Sequence, residues 1–371
     1  MNDNFWTWLN KYPGVNSLAK LNILKDKYLN NNIKYIHITG TNGKGSVARY
    51  LHAVLSQNLN LKVGLFTSPH ILVINERIII NNQMISDQDF LRIKTLILDD
   101  VNKYQLGFFA ILTLIALIYF QEQKVSWAVI EVGIGGLFDA TNIIKSDYAV
   151  LTSLAKDHSE ILGNNLLLIL NQKLGIIKPT TKKFFVSGNI KESLKQIIAN
   201  QIKTEIYFSK KIINQGYILE NQTLTLLIIN TLFPNLDDKA IWETINQTEV
   251  LLRFQMIKIF NRTIYFDVAH NVAGVNALIK ILKLNKIAID QIIFSALKVK
   301  QPNLLIEKLS SNLTSNIIVC ENHHHLSIIG EKFDLDKMIL NVKENSTILV
   351  TGSCYFAALV YQEILLKEKD I

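Results

Sequence analysis

The sequence predicts an α/β protein with two domains and mainly parallel strands. Short apolar runs alternate with amphipathic segments along nearly the whole chain. These runs fall into two series, and a segment without strand-like runs separates the series. The length of 371 residues also favours two domains over one.

The first series predicts five strands, at residues 34–39, 61–67, 126–132, 147–153 and 182–188. The second series predicts four strands, at residues 262–268, 291–297, 315–321 and 346–352. Helical patterns lie between the strands, for example from Val272 to Leu284 and from Tyr355 to Lys367. Residues 222–254 predict two helices and a connection. We expect a domain boundary near residue 255, which gives domains 1–255 and 256–371.

Composition excludes several classes of protein. With 49% hydrophobic and 19% charged residues, the chain is expected to be globular rather than disordered. Its longest apolar stretch, residues 106–120, is shorter than the roughly 20 residues that span a bilayer, which predicts a buried helix. The first 14 residues lack a signal-peptide pattern, and the two cysteines suit reduced thiols, so we expect a cytoplasmic protein with no membrane partner. The net charge of +8 comes from scattered lysines, so no nucleic-acid partner is expected.

The segment TGTNGKGS, residues 39–46, follows the first predicted strand and precedes a helical pattern. Glycines allow backbone N–H groups to approach an anion, and the start of a helix adds partial positive charge. Lys44 could neutralise phosphate oxygens, and Ser46 could reach a magnesium ion. The hydroxyl comes one position later than in the usual phosphate-binding loop, and Ile38 replaces its first glycine. An ordinary glycine-rich turn is the alternative.

Together with LFTSPH (65–70) and NERI (75–78), this segment resembles the folylpolyglutamate synthase/dihydrofolate synthase family of the Mur ligase superfamily. Further similar motifs follow in order: EVGIGGLFDATN (131–142), DHSEILG (157–163), NQKLGIIKP (171–179) and DVAHN (267–271). The resemblance implies an N-terminal P-loop-type parallel-sheet ATPase domain and a smaller C-terminal Rossmann-like α/β domain.

The resemblance also implies roles for individual residues. ATP would contact Thr41, Asn42, Gly43, Lys44, Gly45, Ser46, Asn221, Arg253, Asp267 and His270. One Mg²⁺ would be held by Ser46, Ser68 and Glu131, and a second by His158 and a carbamylated Lys173. The catalytic residues would be Lys44, His158 and Lys173. Asp139 and Ala140 would line the pterin side of the substrate pocket.

The implied reaction is ATP-dependent addition of L-glutamate to 7,8-dihydropteroate, to the γ-carboxyl of folate glutamates, or to both, by a monomer. Leu137 and Ala110 depart from the family, which usually has arginine and glutamate there. Three alternatives stay open: a cell-wall ligase of the same superfamily, a P-loop kinase or other NTPase, and a non-catalytic ATP-binding relative. A cell-wall ligase is disfavoured because we expect it to carry an additional N-terminal domain.

Overall fold

A computed structural model describes residues 17–30 and 32–369; the N-terminal residues inspected for a signal peptide lie outside this part. The chain forms two compact units. The first contains the described residues up to Ile212 together with Ile218–Thr248. The second contains Ile213–Tyr217 and the described residues from Glu249 onwards. The division at residue 255 stays a prediction.

The described part of the first unit contains eight strands and the helices that connect them. Strands β1 to β8 are Lys34–Thr39, Val63–Phe66, Ile78–Ile80, Gln83–Met84, Trp127–Glu131, Tyr148–Leu151, Lys183–Val186 and Glu205–Phe208. Helices α1 to α9 are Ser17–Tyr28, Lys44–Gln57, Asp87–Tyr104, Phe108–Glu122, Ser159–Leu162, Leu166–Leu174, Glu192–Gln201, Tyr217–Leu232 and Asp238–Gln247. Short 3₁₀ turns lie at Ile74–Arg77 and Ala140–Ile143.

The eight strands form one sheet in the order β4-β3-β2-β5-β1-β6-β7-β8. The six strands from β2 to β8 in this order are parallel, and β3 and β4 form an antiparallel hairpin at one edge. In the register of β1, Ile38 pairs with Glu131 of β5 and Thr39 pairs with Leu151 of β6. The carboxyl ends of these three strands therefore meet at one edge. The chain order also reverses around β1, which is where open α/β sheets bind ligands.

Two helices of the first unit are buried as the sequence predicted. The face of α2 predicted from sequence is fully buried, with Val47, Leu51, Val54 and Leu55 all 0% exposed. Residues 110–120 of α4 are also buried, which confirms the predicted buried helix. No helix within residues 17–30 and 32–369 is both long and apolar enough to cross a membrane.

The second unit contains a smaller sheet. Strands β9 to β13 are Arg253–Ile259, Arg262–Asp267, Gln291–Phe294, Ile317–Val319 and Thr347–Thr351. Helices α10 to α12 are Val272–Leu284, Pro302–Asn312 and Cys354–Lys369. The strand order is β12-β11-β13-β10-β9, and all neighbours are parallel except β9, which runs antiparallel to β10.

Each of the nine predicted strands overlaps an observed strand, and α10 has the predicted bounds. Four observed strands, β3, β4, β8 and β9, were not among the predicted ones. Their pairings β2–β3, β3–β4 and β9–β10 are antiparallel, within sheets that are mainly parallel as predicted. β4, β8 and β9 are sheet edges with exposed or half-buried residues, and β3 has only three residues. The three edge strands therefore lack the apolar run of a buried parallel strand, whereas β3 consists of isoleucines but is very short.

Candidate nucleotide and metal site

The glycine-rich segment from Gly40 to Ser46 connects β1 to α2 and is held by the loop that follows β6. The N–H of Asn42 donates to Oγ of Ser153 over 2.8 Å, and Oγ1 of Thr152 donates to the Asn42 carbonyl over 2.7 Å. The N–H of Thr41 donates to the carbonyl of Ser153 over 3.1 Å. These hydrogen bonds hold the segment in one conformation at the sheet edge.

Two of the glycines are required by close contacts. A Cβ on Gly40 would lie 2.0 Å from Oγ1 of Thr152. Gly43 precedes α2 with a left-handed φ of 86°, and a Cβ there would lie 2.4 Å from Oδ1 of Asn221. A side chain at either position would therefore push the loop from its neighbours. Asn221, which lies on α8, packs directly against the loop.

Lys44 is the first residue of α2, and its side chain folds over the loop. Its Nζ donates to the carbonyls of Gly40, over 3.1 Å, and Thr41, over 3.5 Å. The ammonium group therefore lies beside the N-terminus of α2, where helix N–H groups lack intrahelical partners. An anion at this point would meet the ammonium charge, the loop amides and the helix dipole together.

Glu131 ends β5, and its buried carboxylate lies between two other segments. Its Oε2 accepts a hydrogen bond from the N–H of Ser68 over 2.9 Å. A Cβ on Gly45 would lie 3.4 Å from the same oxygen, and Ser46 is the next residue of α2. Glu131 and Ser46 are 4% and 5% exposed. The segments that carry the three predicted ligands of the first Mg²⁺ thus meet, and carboxylate and hydroxyl oxygens suit this ion.

The loop that carries Ser68 is organised by Glu76, a residue to which the sequence assigned no role. The buried carboxylate of Glu76 accepts hydrogen bonds from the N–H groups of Ile71, Leu72 and Val73, each over 2.8 Å. Glu76 lies in the NERI motif, and this motif is the sequence signal from which its role could have been found. The carboxylate fixes the conformation of residues 71–73 because it satisfies three consecutive backbone donors.

The same loop contains a hydrogen-bonded pair of the half-buried His70 and the buried Arg77. Nε of Arg77 donates to Nδ1 of His70 over 2.9 Å, and the guanidinium lies 5.3 Å from the ring centre of Phe108. Burial, and secondly the charge of Arg77, lower the pKa of His70 to about 4. His70 is therefore a neutral hydrogen-bond acceptor at neutral pH.

Asp139 is buried, and its carboxylate is bonded within its own loop. It accepts hydrogen bonds from the N–H of Ile134 over 3.0 Å, from the N–H of Thr141 over 3.0 Å and from Oγ1 of Thr141 over 2.5 Å. Burial raises the pKa of Asp139, and these hydrogen bonds act against that rise. Asp139 thereby holds the turn that contains Ala140, which is 7% exposed. The substrate-pocket role of both residues stays a prediction.

Lys173 is on α6 and is 2% exposed. Burial, and secondly the charge of Lys44, lower the pKa of Lys173 to about 7, while Asp157 and Asp139 act in the opposite direction. A substantial fraction of the amine is therefore neutral near pH 7. Carbamylation requires this neutral form because its lone pair attacks carbon dioxide.

His158 precedes the short helix α5 with a left-handed φ of 48°. Its Nδ1 lies 3.6 Å from Oε1 of Glu160, and its backbone N–H donates to Oδ1 of Asp157 over 2.9 Å. Asp157 is also the first acidic group whose charge acts on Lys173. Asp157 thus bonds to the backbone of His158, and its charge also acts to raise the pKa of Lys173.

In the second unit, Asp267 ends β10 and is 4% exposed. Its carboxylate accepts hydrogen bonds from the hydroxyl of Tyr217, from the N–H of Phe254 over 3.0 Å and from the N–H of Ala269 over 2.9 Å. Burial raises the pKa of Asp267, and the charge of Arg253 is the largest opposing influence. Asp267 therefore connects the segment around Arg253 to the end of β10.

Arg253 lies between two residues in the left-handed region, Leu252 with φ 57° and Phe254 with φ 51°. Bulky side chains rarely adopt this conformation, which costs about 1–3 kcal/mol and often marks a functional segment. Nδ1 of His270 lies 2.9 Å from the carbonyl of Val268, at the loop before α10. Arg253, Asp267 and His270, all predicted to bind nucleotide, thus lie in neighbouring segments of the second unit.

Residues 17–30 and 32–369 contain no group of three or more His, Cys, Asp or Glu side chains that could hold a metal ion. The predicted magnesium ligands include two serines and a lysine, so the sequence did not predict a group made of these four residue types. The roles of the predicted magnesium ligands and of the predicted ATP-binding residues remain predictions.

A glycine-rich loop, a lysine and a buried carboxylate at the switch point of a parallel sheet define a nucleotide-binding α/β protein. The family described as Mur ligase middle domain matches residues 38–226. The chain belongs to the Mur ligase family and, within it, to the folylpolyglutamate synthase/dihydrofolate synthase group.

Relatives of this group match most of the chain. The dihydrofolate synthase/folylpolyglutamate synthase of Bacillus subtilis is 27% identical over 93% of this chain and 93% of its own length. The enzyme of the same name from Buchnera aphidicola (subspecies Schizaphis graminum) is 31% identical over 69% of this chain and 66% of its own length. A solved structure described as an FPGS-AMPPCP complex has a TM-score of 0.82 and 26% identity, covering 98% of this chain and 100% of that chain.

Proposed function

We propose that the protein is an ATP-dependent ligase that forms an amide between L-glutamate and a pterin-linked carboxylate. The acceptor is 7,8-dihydropteroate, the γ-carboxyl of (tetrahydro)folate glutamates, or both, and the other products are ADP and phosphate. The family assignment and the names of the two relatives support this reaction. The observation that carries the proposal is the approach of Glu131 to the start of α2, beside Lys44.

The first step would transfer the γ-phosphoryl group of ATP to the acceptor carboxylate. The γ-phosphorus–oxygen bond to ADP breaks, and a carboxylate oxygen forms the new bond, which gives an acyl phosphate. Lys44 and the amides of residues 41–46 would bind the phosphates and offset the negative charge that spreads over their oxygens. The second unit would contribute Arg253, Asp267 and His270 to nucleotide binding, and Asn221 would bind nucleotide from α8.

In the second step, the neutral amino group of glutamate would attack the acyl carbon. The carbon–oxygen bond to phosphate breaks, phosphate leaves, and the amine loses a proton as the amide forms. This route requires no protein nucleophile. The chain would accelerate it by holding the reacting groups in place and by shielding them from water.

Ser46, Ser68 and Glu131 would hold one Mg²⁺, which would supply positive charge to offset that of the ATP phosphates. The buried carboxylate of Glu131 supports this assignment. It accepts a hydrogen bond from the N–H of Ser68 and lies beside Gly45, the residue before Ser46. For the second ion, an ammonium at Lys173 would repel Mg²⁺, whereas a carbamate offers anionic oxygens. The lowered pKa of Lys173 supports carbamylation, with His158 as the partner ligand.

Asp139 and Ala140 would border the pterin side of the acceptor. Both belong to a loop in which Asp139 accepts hydrogen bonds from the N–H groups of Ile134 and Thr141. The exposed side chain of Leu137 belongs to this loop, whereas Ala110 is buried in α4. We also propose that the enzyme acts as a cytoplasmic monomer with no nucleic-acid or membrane partner, and that its domains divide near residue 255.

The test is incubation with MgATP and labelled glutamate, with 7,8-dihydropteroate and tetrahydrofolate monoglutamate as separate acceptors. We expect one labelled ligation product and one ADP per turnover with at least one of the two acceptors. ADP without incorporated label would indicate a kinase or an NTPase. Nucleotide binding without either product, with both acceptors, would indicate a non-catalytic relative, an alternative that the substitutions at Leu137 and Ala110 leave open.

A further inference from the structure

A cavity of about 460 Å³ lies in the first unit and is lined by residues of α1, of the segment 137–145 and of the segment 178–180. Three lysines line it: Lys25 of α1, Lys145 after the 3₁₀ turn, and Lys178 after α6. None of the residues of the glycine-rich loop line this cavity. Its volume falls in the range of small-molecule sites.

The three lysines are neighbours of like charge. Within residues 17–30 and 32–369, none of the three forms an ion pair with a carboxylate. Burial, and secondly the charge of Lys145, lower the pKa of Lys25, while Asp26 opposes the change. Burial, and secondly the charge of Lys25, lower the pKa of Lys178. Burial and the charge of a neighbouring lysine thus both destabilise the charged forms of Lys25 and Lys178.

The wall of the cavity is rigid on the side opposite α1. Nδ2 of Asn142 donates to the carbonyls of Leu137 over 2.9 Å and Gly175 over 3.1 Å. The N–H of Lys178 donates to Oγ1 of Thr181 over 2.9 Å, so the backbone that carries this ammonium is fixed. The backbone around Asn142 and at Lys178 is therefore fixed before an anion enters, which lowers the cost of ordering on binding.

The cavity also has an apolar side, formed by Leu18, Ile143 and Ile144. A ligand that uses both sides carries several negative groups on a partly apolar carbon chain. We propose that this lysine cavity is a second anion-binding site, for a small molecule with two or more carboxylate or phosphate groups. Two sources share this chemistry: a chain of glutamyl carboxylates, and a polyphosphate.

The inference does not require the proposed ligase reaction, because its test measures binding by anions that lack a pterin. The full-length protein is saturated with MgADP to fill the nucleotide loop. Free tri-γ-glutamate and inorganic tripolyphosphate are then used as separate probes. Binding is followed by equilibrium dialysis and by amine acylation of Lys25, Lys145 and Lys178, quantified by peptide mass spectrometry.

We expect one probe to bind saturably and to protect the three lysines from acylation at least fivefold. The double variant Lys25→Gln/Lys178→Gln should bind it at least tenfold more weakly, and Lys25→Arg/Lys178→Arg should restore binding. Lys20→Gln, on the same helix but outside the cavity lining, is the matched control and should bind like the parent. Protection by tri-γ-glutamate alone would identify a carboxylate ligand, and protection by tripolyphosphate alone a phosphate ligand.

Equal acylation with and without both probes would overturn the proposal. Undiminished binding by the Gln double variant would do so as well. The double variant should remain folded, because removing like charges relieves repulsion within the cavity. A thermal unfolding midpoint at or above that of the parent would verify this. Glutamate incorporation is assayed separately, so a failure of this site is distinguishable from a failure of the proposed reaction.

Discussion

The backbone N–H of Ser68 donates to Oε2 of Glu131 over 2.9 Å, which joins the loop after β2 to the end of β5. The same oxygen lies beside Gly45 at the start of α2. Three segments that are distant in sequence therefore meet at one buried carboxylate. A carboxylate in this position both holds the segments together and offers negative charge to a cation.

These two contributions can be separated by Glu131→Gln, which retains an oxygen acceptor for Ser68 but removes the charge. We expect kcat/KM for MgATP to fall at least 100-fold, equivalent to about 2.7 kcal/mol. Mn²⁺ binding, followed by electron paramagnetic resonance in the presence of ADP, should weaken in parallel. Glu192→Gln removes an exposed carboxylate of the same unit, away from the predicted site residues, and should leave both quantities unchanged. Normal Mn²⁺ binding by Glu131→Gln would remove the ligand role.

Lys44→Ala tests the phosphate role of the glycine-rich loop. The ammonium would stabilise charge that develops during phosphoryl transfer, so its loss should cost about 3–4 kcal/mol in kcat/KM, similar to losing an oxyanion donor. Steady-state kinetics with varied ATP measure the loss. Lys20→Ala, on α1, serves as the control for general charge removal. An effect smaller than fivefold would show that Lys44 does not contact the transferred group.

Lys173→Ala should abolish turnover, and added bicarbonate should not restore it. The physical reason is that alanine can neither form a carbamate nor supply another oxygen ligand. In the parent protein the pKa of Lys173 is lowered to about 7, so the neutral amine becomes dominant as the pH rises above 7. At constant dissolved carbon dioxide, ¹³C-carbamate measured by NMR should therefore increase from pH 6.5 to 8.5. Full activity of Lys173→Ala would exclude a metal role for this lysine.

Glu76→Ala should destabilise the loop that carries Ser68. Three part-buried backbone N–H groups would lose this acceptor, and an unsatisfied donor costs about 1–3 kcal/mol when buried and less where water reaches it. We expect a loss of about 2–4 kcal/mol in unfolding free energy. Urea unfolding measures this change. Asp87→Ala, an exposed carboxylate that accepts a hydrogen bond from Asn75 of the same region, should cost less than 1 kcal/mol. Equal losses for the two variants would contradict the special role of Glu76.

Stability should fall in mild acid because three histidines of the first unit, two buried and one half-buried, have lowered pKa values. Burial is the largest cause for each, lowering the pKa of His37 to about 3 and those of His52 and His70 to about 4. Between about pH 4 and 6.5 the unfolded chain binds more protons than the folded protein, so stability decreases as the pH falls through this window. Each histidine contributes a slope of up to about 1.4 kcal/mol per pH unit.

The fluorescence of Trp127 and Trp242, which both lie in the first unit, reports urea unfolding of that unit at pH 7, 6 and 5. His37→Gln should reduce the pH slope by about one third, since it removes one of three similar contributions. His325→Gln, an exposed histidine, should leave the slope unchanged. A parent protein with the same stability at pH 7 and pH 5 would contradict the prediction.

The sequence determined the local elements of the fold and the order of the motifs. The apolar runs identified every buried parallel strand of both sheets, and the spacing of Val47, Leu51, Val54 and Leu55 identified the buried face of α2. Burial of apolar side chains leaves a periodic pattern in the sequence itself, so these elements could be read without coordinates. Edge strands such as β8 and β9 leave no such pattern, because nearly all of their side chains are half-buried or exposed.

Only the tertiary structure decided which groups approach one another. It placed Glu131 against both Ser68 and Gly45, gave Glu76 three backbone donors, and assembled Lys25, Lys145 and Lys178 around one cavity. Contacts of this kind depend on distances between segments far apart in the chain, which local propensity and periodicity do not encode. The lowered pKa of Lys173 arises in the same way, because the low-dielectric surroundings and the charge of Lys44 exist only once the sheet and helices have packed.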